Sequence, residues 1–297
     1  MTAESHTIVI GLVQMQMSGR PDDNLERAID GIRAAAAKGA RLVCLPELFR
    51  SRYFCQSENA EHFALAEAVP GPTTERLARL ADELDITLIA SLFERRAPGL
   101  YHNTAVVLDA GAGYLGKYRK MHIPDDPRYY EKFYFTPGDL GFKSFATRAG
   151  NVGVLVCWDQ WYPEAARLTA LAGAQVLFYP TAIGWHPEEQ GDVNRAQHDA
   201  WETAQRAHAI ANGCFVVAVN RTGFEPDPAG VGGIRFWGQS FVAAPDGSVM
   251  VRAAIDSEEL IVCEIDLSAI DRQRVGWPFF RDRRIDAYSE LTKRYID

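Results

Sequence analysis

Asn151-Val152-Gly153-Val154-Leu155-Val156-Cys157-Trp158-Asp159-Gln160-Trp161-Tyr162-Pro163-Glu164 is where the fold of this chain can be read first. Asn151–Val156 is a short apolar run of strand length, which predicts a buried strand. Pro163 then opens a helix over Pro163–Ala172, because proline suits a first helical position whose N–H would go unpaired anyway. A second apolar strand, Gln175–Tyr179, follows directly. Strand, elbow, helix and strand in that order make a parallel crossover unit. In sheets built from such units, chemistry gathers just beyond the carboxyl ends of the strands. Cys157 stands at such an end.

The same alternation continues outward. Toward the C-terminus, a helix from about Ala196 to Ala211 precedes strand Cys214–Val219. Two strands flank the turn Pro245–Asp246–Gly247, and Leu260–Ile265 ends the regular series. Toward the N-terminus, Thr7–Val13 reads as a strand. Leu25, Ala28, Ile29 and Ile32 recur at helical spacing, with Asp22 or Asp23 as the expected cap. Arg41–Leu45 is a strand, and Leu77, Leu80, Ala81 and Leu84 mark a helix before strand Ile86–Phe93. Asn103–Leu108 and Tyr114–Lys117 form a hairpin around Asp109–Gly113. Parallel units and hairpins together predict an α/β fold of two mixed sheets packed face to face, with helices outside. Neither repeat nor linker interrupts the chain, so one domain is expected over 1–270, with a tail over 271–297.

Composition narrows the function classes. The chain has 297 residues, 47% of them hydrophobic and 24% charged, as expected of a globular protein that folds without staples. A formal net charge of −8 argues against nucleic acid, whose phosphates need clustered Lys and Arg. No apolar run approaches membrane-spanning length. Met1 to Thr7 lacks the charged-then-apolar layout of a secretory leader, so a cytoplasmic location is expected. The five cysteines are widely spaced with no CxxC pair, which fits neither a disulfide framework nor a zinc site.

Three residues stand just past strand ends with side chains suited to chemistry. Cys157 sits at the strand-to-helix elbow, where backbone N–H groups and a helix N-terminus favour thiolate and oxyanion. Cys44, Cys214 and Cys263 lie in apolar strands and read as small core hydrophobes, while Cys55 lies in the loop Ser51–Ser57. Glu47 follows Leu42-Val43-Cys44-Leu45-Pro46, and Lys120 lies in Arg119-Lys120-Met121-His122. Taken alone, the first reads as a surface carboxylate and the second as a solvated basic run.

Taken in order, Pro46–Glu47, Arg119-Lys120-Met121-His122 and Cys157 with Tyr162-Pro163-Glu164 resemble the catalytic set of the nitrilase superfamily. The similarity runs from the first strand to at least Ile265. It implies a four-layer αββα sandwich, homo-oligomers and no metal or organic cofactor. It also brings in a second glutamate, matched by Glu131 in Tyr130–Asp139. Under that resemblance Glu47 takes the Cys157 proton and later activates water. Lys120 and the Trp158 N–H stabilise the oxyanion, and Glu131 orients Lys120 or binds leaving ammonia. The aromatic Gly276–Phe280 segment is expected to join subunits.

Within the superfamily, Cys157–Glu164, Phe178–Trp185 and Phe280–Tyr288 resemble the N-carbamoylputrescine amidases, which implies a small-molecule substrate with a distal amine. Gln160 and Trp161 stand where relatives that act on N-carbamoyl amino acids carry arginines, which counts against a carboxylate substrate. A distal ammonium wants a carboxylate or an aromatic face; Asp125, Asp126, Glu188 and Trp161 are the candidates, with Gln160 and Thr181 as further substrate-binding positions. The alternatives are an N-carbamoyl amino acid or β-ureidopropionate hydrolase, an aliphatic amidase, a nitrilase, or an inactive binding protein on the same fold.

Overall fold

The computed structural model describes residues 6–230 and 232–296. Most of the Met1–Thr7 segment, read above as no leader, lies outside the described residues. From the N-terminus, β1 (Thr7–Gln14), α1 (Pro21–Ala37), β2 (Leu42–Cys44) and α2 (Pro72–Leu84) lead into β3 (Thr87–Ala97), β4 (Leu100–Asp109) and β5 (Gly113–Arg119). A single helical turn, α3 (Glu131–Tyr134), precedes β6 (Ser144–Thr147), β7 (Gly150–Val154), α4 (Pro163–Leu171), β8 (Val176–Thr181) and β9 (Gly184–Trp185). The chain continues through α5 (Gly191–Asn212), β10 (Phe215–Asn220), β11 (Thr222–Pro226) and β12 (Gly233–Trp237). It closes with β13 (Phe241–Ala243), β14 (Val249–Arg252), β15 (Glu259–Asp266) and α6 (Ser268–Gly276).

Two six-stranded mixed sheets form the body. One runs β15-β1-β2-β3-β4-β5 and the other β14-β13-β10-β8-β7-β6. In each, parallel strands fill the centre and antiparallel pairings the edges: β1, β2 and β3 are parallel in the first, β7, β8 and β10 in the second. Side chains alternate across a strand, so Ile10 and Leu12 of β1 face the second sheet, packing with Val154, Phe178 and Val216. Val13, from the other face, packs with Leu25, Ile29 and Ile32 of α1 and Leu77 and Leu80 of α2. Helices α4 and α5 cover the second sheet. Each fully buried Leu or Ile contributes about 1.5–3 kcal/mol. The layers are thus helix, sheet, sheet, helix, as the sequence implied.

Several details differ from the sequence reading. Helix α1 is capped neither by Asp22 nor by Asp23: Arg20 holds the cap position without a side-chain capping bond, and Pro21 begins the helix. The two aspartates fall in the first turn, where the helix dipole favours negative charge. The regular series does not end at Ile265, since α6 follows. Cys263 is half-exposed rather than core. A third sheet of β11, β12 and β9 gave no clear signal, because Gly223, Pro226, Pro228 and a run of glycines punctuate its strands like turns. No helix among the described residues is long and apolar enough to cross a membrane.

Candidate active site

Glu47 is delivered by the end of β2. Leu45 N still donates to Ile89 O (3.0 Å), Pro46 stops the ladder, and Glu47 N turns across to Thr181 O of the second sheet (3.4 Å). The Glu47 side chain is fully buried. Its Oε1 accepts from Asn103 Nδ2 (2.7 Å) and from Lys120 Nζ (2.9 Å). Its Oε2, equally buried, meets no hydrogen-bond partner among the described residues. Asn103 is itself held, since its Oδ1 accepts from Ser91 Oγ (3.2 Å).

Lys120 follows β5 directly. Its N–H donates to Asn103 O (2.9 Å) and its carbonyl accepts from Gly138 N (2.8 Å). Only glycine fits at position 138, because a Cβ there would stand 2.0 Å from the Arg119 carbonyl oxygen. The Lys120 side chain is fully buried, and its Nζ also donates to Glu131 Oε2 (2.7 Å). Glu131 opens α3, and its Oε1 accepts from the Tyr53 hydroxyl (2.7 Å). One buried ammonium therefore serves two buried carboxylates. Burial alone would lower the Lys120 ammonium, but the Glu131 and Glu47 charges hold it well above its usual range. Burial pushes the Glu131 carboxyl up to about 7, against the pull of Lys120 and with the push of Glu47.

Cys157 begins a 3-10 turn, Cys157–Trp161, between β7 and α4. Its φ is +42°, a left-handed conformation that costs a non-glycine residue about 1–2 kcal/mol. Asp159 holds this elbow. Its Oδ2 accepts from Val156 N (2.9 Å) and from the Tyr118 hydroxyl (2.9 Å), and its Oδ1 from His122 N (3.1 Å). His122 Nδ1 lies 2.7 Å from the same oxygen, and its ring stacks on Tyr162 at 3.6 Å. One buried carboxylate thus ties the segment two residues past Lys120 to the turn that presents the thiol.

Cys157 Sγ–H points to Ala182 O (3.8 Å). Burial raises this thiol well above its usual range; Glu47 and Glu131 raise it further, and Lys120 pulls it down. The expectation that the elbow favours thiolate is therefore corrected. Burial and two carboxylates outweigh the turn and favour the protonated thiol.

The thiol opens into a cavity of about 460 Å³ lined by Asp126, Tyr129, Glu131, Cys157, Trp158 and Trp161, with Ala182–Gly184, His186, Glu189 and Gln197 on the remaining wall. The other positions proposed from sequence fall elsewhere. Gln160 is buried under α5: its Oε1 accepts from Trp201 Nε1 (2.8 Å) and its carbonyl lies 2.7 Å from His208 Nε2. Thr181 is buried, with its hydroxyl donating to Tyr179 O (2.8 Å). Glu188 is exposed and pairs with Arg128 (3.2 Å). Asp125 is exposed and is not among the lining residues. Neither Lys nor Arg appears among the described lining residues. Sequence reasoning missed Asn103, Tyr53, Tyr129 and Glu189. Asn103 gave a signal, a polar side chain heading an apolar strand; Tyr53 and Glu189 sit in loops with none.

The carbon-nitrogen hydrolase family model matches residues 9–275. The chain belongs to the carbon-nitrogen hydrolase family. It is a hydrolase of non-peptide carbon–nitrogen bonds. It is similar to an N-carbamoylputrescine amidase of Solanum lycopersicum, 42% identical over 98% of this chain and 97% of that protein. It is also similar to a citrullinase of Francisella tularensis, 37% identical over 97% and 99% respectively. A carbon-nitrogen hydrolase crystal structure from Helicobacter pylori G27 superposes with a TM-score of 0.95, at 49% identity over 98% of this chain and 100% of that one. This family member thus shares its layout over nearly its whole length with those relatives.

Proposed function

We propose that the protein hydrolyses the terminal ureido group of N-carbamoylputrescine to putrescine, carbon dioxide and ammonia. Cys157 is the nucleophile, Glu47 the general base and acid, Lys120 the electrophilic stabiliser and Glu131 its support. Glu47 Oε2 suits proton transfer because it is buried without a hydrogen-bond partner among the described residues, while Oε1 anchors the side chain. As Sγ forms its bond to the ureido carbon, the thiol proton passes to Glu47. The carbonyl oxygen gains the electron pair and is stabilised by the Lys120 ammonium and the Trp158 N–H. Collapse breaks the terminal C–N bond, and Glu47 returns the proton to departing ammonia. Water, deprotonated by Glu47, then adds to the carbonyl carbon of the S-carbamoyl intermediate; the C–S bond breaks, Glu47 returns the proton to the leaving Sγ, and the released carbamate loses carbon dioxide to leave putrescine.

The cavity carries the choice of substrate. Its wall has Asp126, Glu189 and two tryptophans, with neither Lys nor Arg among the described lining residues. A cationic far end meets carboxylate and aromatic faces there, whereas a carboxylate would be desolvated without a partner, at a cost of several kcal/mol. Two relatives bear names whose compounds, N-carbamoylputrescine and citrulline, both end in a ureido group. The test compares kcat/KM for N-carbamoylputrescine, citrulline, N-carbamoyl-β-alanine and uncharged N-carbamoyl-butylamine. The diamine derivative should lead by at least ~10-fold, the effect of about 1.4 kcal/mol. Preference for either carboxylate-bearing compound would sink the substrate assignment and leave the chemistry standing.

Two wider features belong to this reading. All five cysteines are free, which suits a reducing compartment such as the cytoplasm. The C-terminal segment joins subunits of a homo-oligomer, as argued at the end of the Discussion.

A further inference from the structure

Behind the two glutamates lies a second buried ion pair that the chemistry above leaves unused. Arg221, between β10 and β11, has a fully buried side chain. Its Nη1 donates to both Glu225 oxygens (2.9 and 3.1 Å) and to Ser51 O (3.1 Å). Its Nη2 donates to the carbonyls of Glu47 (2.6 Å) and Leu48 (3.2 Å). Glu225 Oε2 in turn accepts from Tyr53 N (2.5 Å). Tyr53 then reaches the site from the other side, its hydroxyl donating to Glu131 Oε1 (2.7 Å).

These bonds close a circuit. Arg221 holds the Glu47 backbone, Glu47 holds Lys120, Lys120 holds Glu131, Glu131 holds Tyr53, and Tyr53 returns through Glu225 to Arg221. Stacking fixes the Tyr53 ring as well, against Tyr129 at 5.6 Å and Phe236 at 5.9 Å, with the Arg221 guanidinium 5.8 Å over it. A buried ion pair is often no more stabilising than apolar packing of the same volume. Its presence here, wired to both glutamates, points to placement rather than stability.

We propose that Tyr53 is a positioning residue for the reaction: its hydroxyl fixes Glu131 against Lys120, and the Arg221–Glu225 pair fixes Tyr53. The inference rests on the roles assigned to Lys120 and Glu131 above. Lys120 after β5, Glu47 after β2, Tyr53 and Cys55 from the loop before α2, Tyr129 beside α3 and Cys157 at the elbow are the titratable groups that act on Glu131. The hydrogen bond from Tyr53 favours the ionised carboxylate. Glu131 must be ionised to hold the ammonium where the oxyanion forms, so the acid limb of kcat follows its titration.

Tyr53→Phe deletes this one bond and keeps the stacked ring. The acid limb of kcat should move up by about one pH unit, the size of one hydrogen bond to a charged group. At neutral pH kcat should fall about 10-fold or more, with KM and melting temperature nearly unchanged. Arg221→Lys, which keeps the charge but loses the fork, should show the same pattern more weakly. If it fails to fold, Tyr53→Phe decides alone. Profiles that superpose on the parent protein overturn the positioning role. Turnover by folded Cys157→Ala would instead overturn the reading of the site itself.

Discussion

Glu47 presents two oxygens in different circumstances, one bonded twice and one buried without a partner among the described residues, an asymmetry that suits the base proposed above. Glu47→Gln should lose at least ~100-fold in kcat while ammonia-releasing activity in folded Cys157→Ala should vanish. Near-normal turnover in either variant removes that residue from the mechanism. Lys120 is different, because it also neutralises Glu47 and Glu131, whose side chains are as buried as its own. Lys120→Met should therefore cost stability as well as rate, because all three side chains are buried. Without the ammonium, two carboxylates face each other, and the cost is roughly 3–5 kcal/mol when both are charged. The Glu131 carboxyl, which burial already raises to about 7, loses the pull of Lys120 and rises further. A carboxyl raised above its unfolded value takes stability away as pH climbs from the ordinary carboxylate range through the raised value. Denaturant midpoints of Lys120→Met should therefore fall well below the parent at pH 8 and approach it near pH 5. A deficit independent of pH would contradict this.

At the scale of elements, the hairpins that carry Lys120 are tied by charge as well as by backbone. Glu94 of β3 accepts from Thr104 of β4 (2.6 Å) and from Lys117 (2.6 Å) and Arg119 (2.7 and 2.9 Å) of β5. Burial pushes its carboxyl up, but these bonds prevail and bring it down to about 2. The stabilisation is thus present above the usual carboxylate range and lost as pH falls toward 2. Glu94→Gln should cost roughly 3–5 kcal/mol at neutral pH and flatten the acid side of the stability curve; an unchanged acid midpoint would refute the role. Strand and helix order around Cys157 was legible because apolar period and proline position speak locally. What the sequence could not reveal was which polar residues meet. Gln160, placed in the substrate site because relatives that act on N-carbamoyl amino acids carry an arginine there, turns under α5, while Tyr53 arrives from a loop about a hundred residues away in sequence. Such contacts are set by the packing of whole sheets. The β11–β12 hairpin escaped for a simpler reason, its glycines and prolines resembling a loop.

Viewed as one molecule, the two-sheet sandwich buries its apolar residues between layers, yet leaves one end of the chain uncovered. Eight exposed large apolar side chains fall between Val275 and Ile296, among them Trp277 (54%), Ile285 (76%) and Tyr295 (80%). The segment is anchored where Phe280 lies between the guanidinium groups of Arg274 (4.5 Å) and Arg167 (4.9 Å). Beside Arg167 on α4, Leu168 and Leu171 are also half-exposed, so tail and helix together present apolar side chains to solvent. A soluble monomer rarely exposes a contiguous apolar patch beyond a few hundred Å², and a second copy of the same face is the simplest cover, since two-fold interfaces pair a patch with itself. Deleting residues 277–297 should therefore lower the mass seen by light scattering, and Leu168→Glu should do the same while leaving the tail in place. The Glu47–Lys120–Cys157 site draws its residues from other elements, so alkylation of Cys157 in the smaller species should still proceed. An unchanged mass in both variants would show that the tail folds back on its own subunit instead.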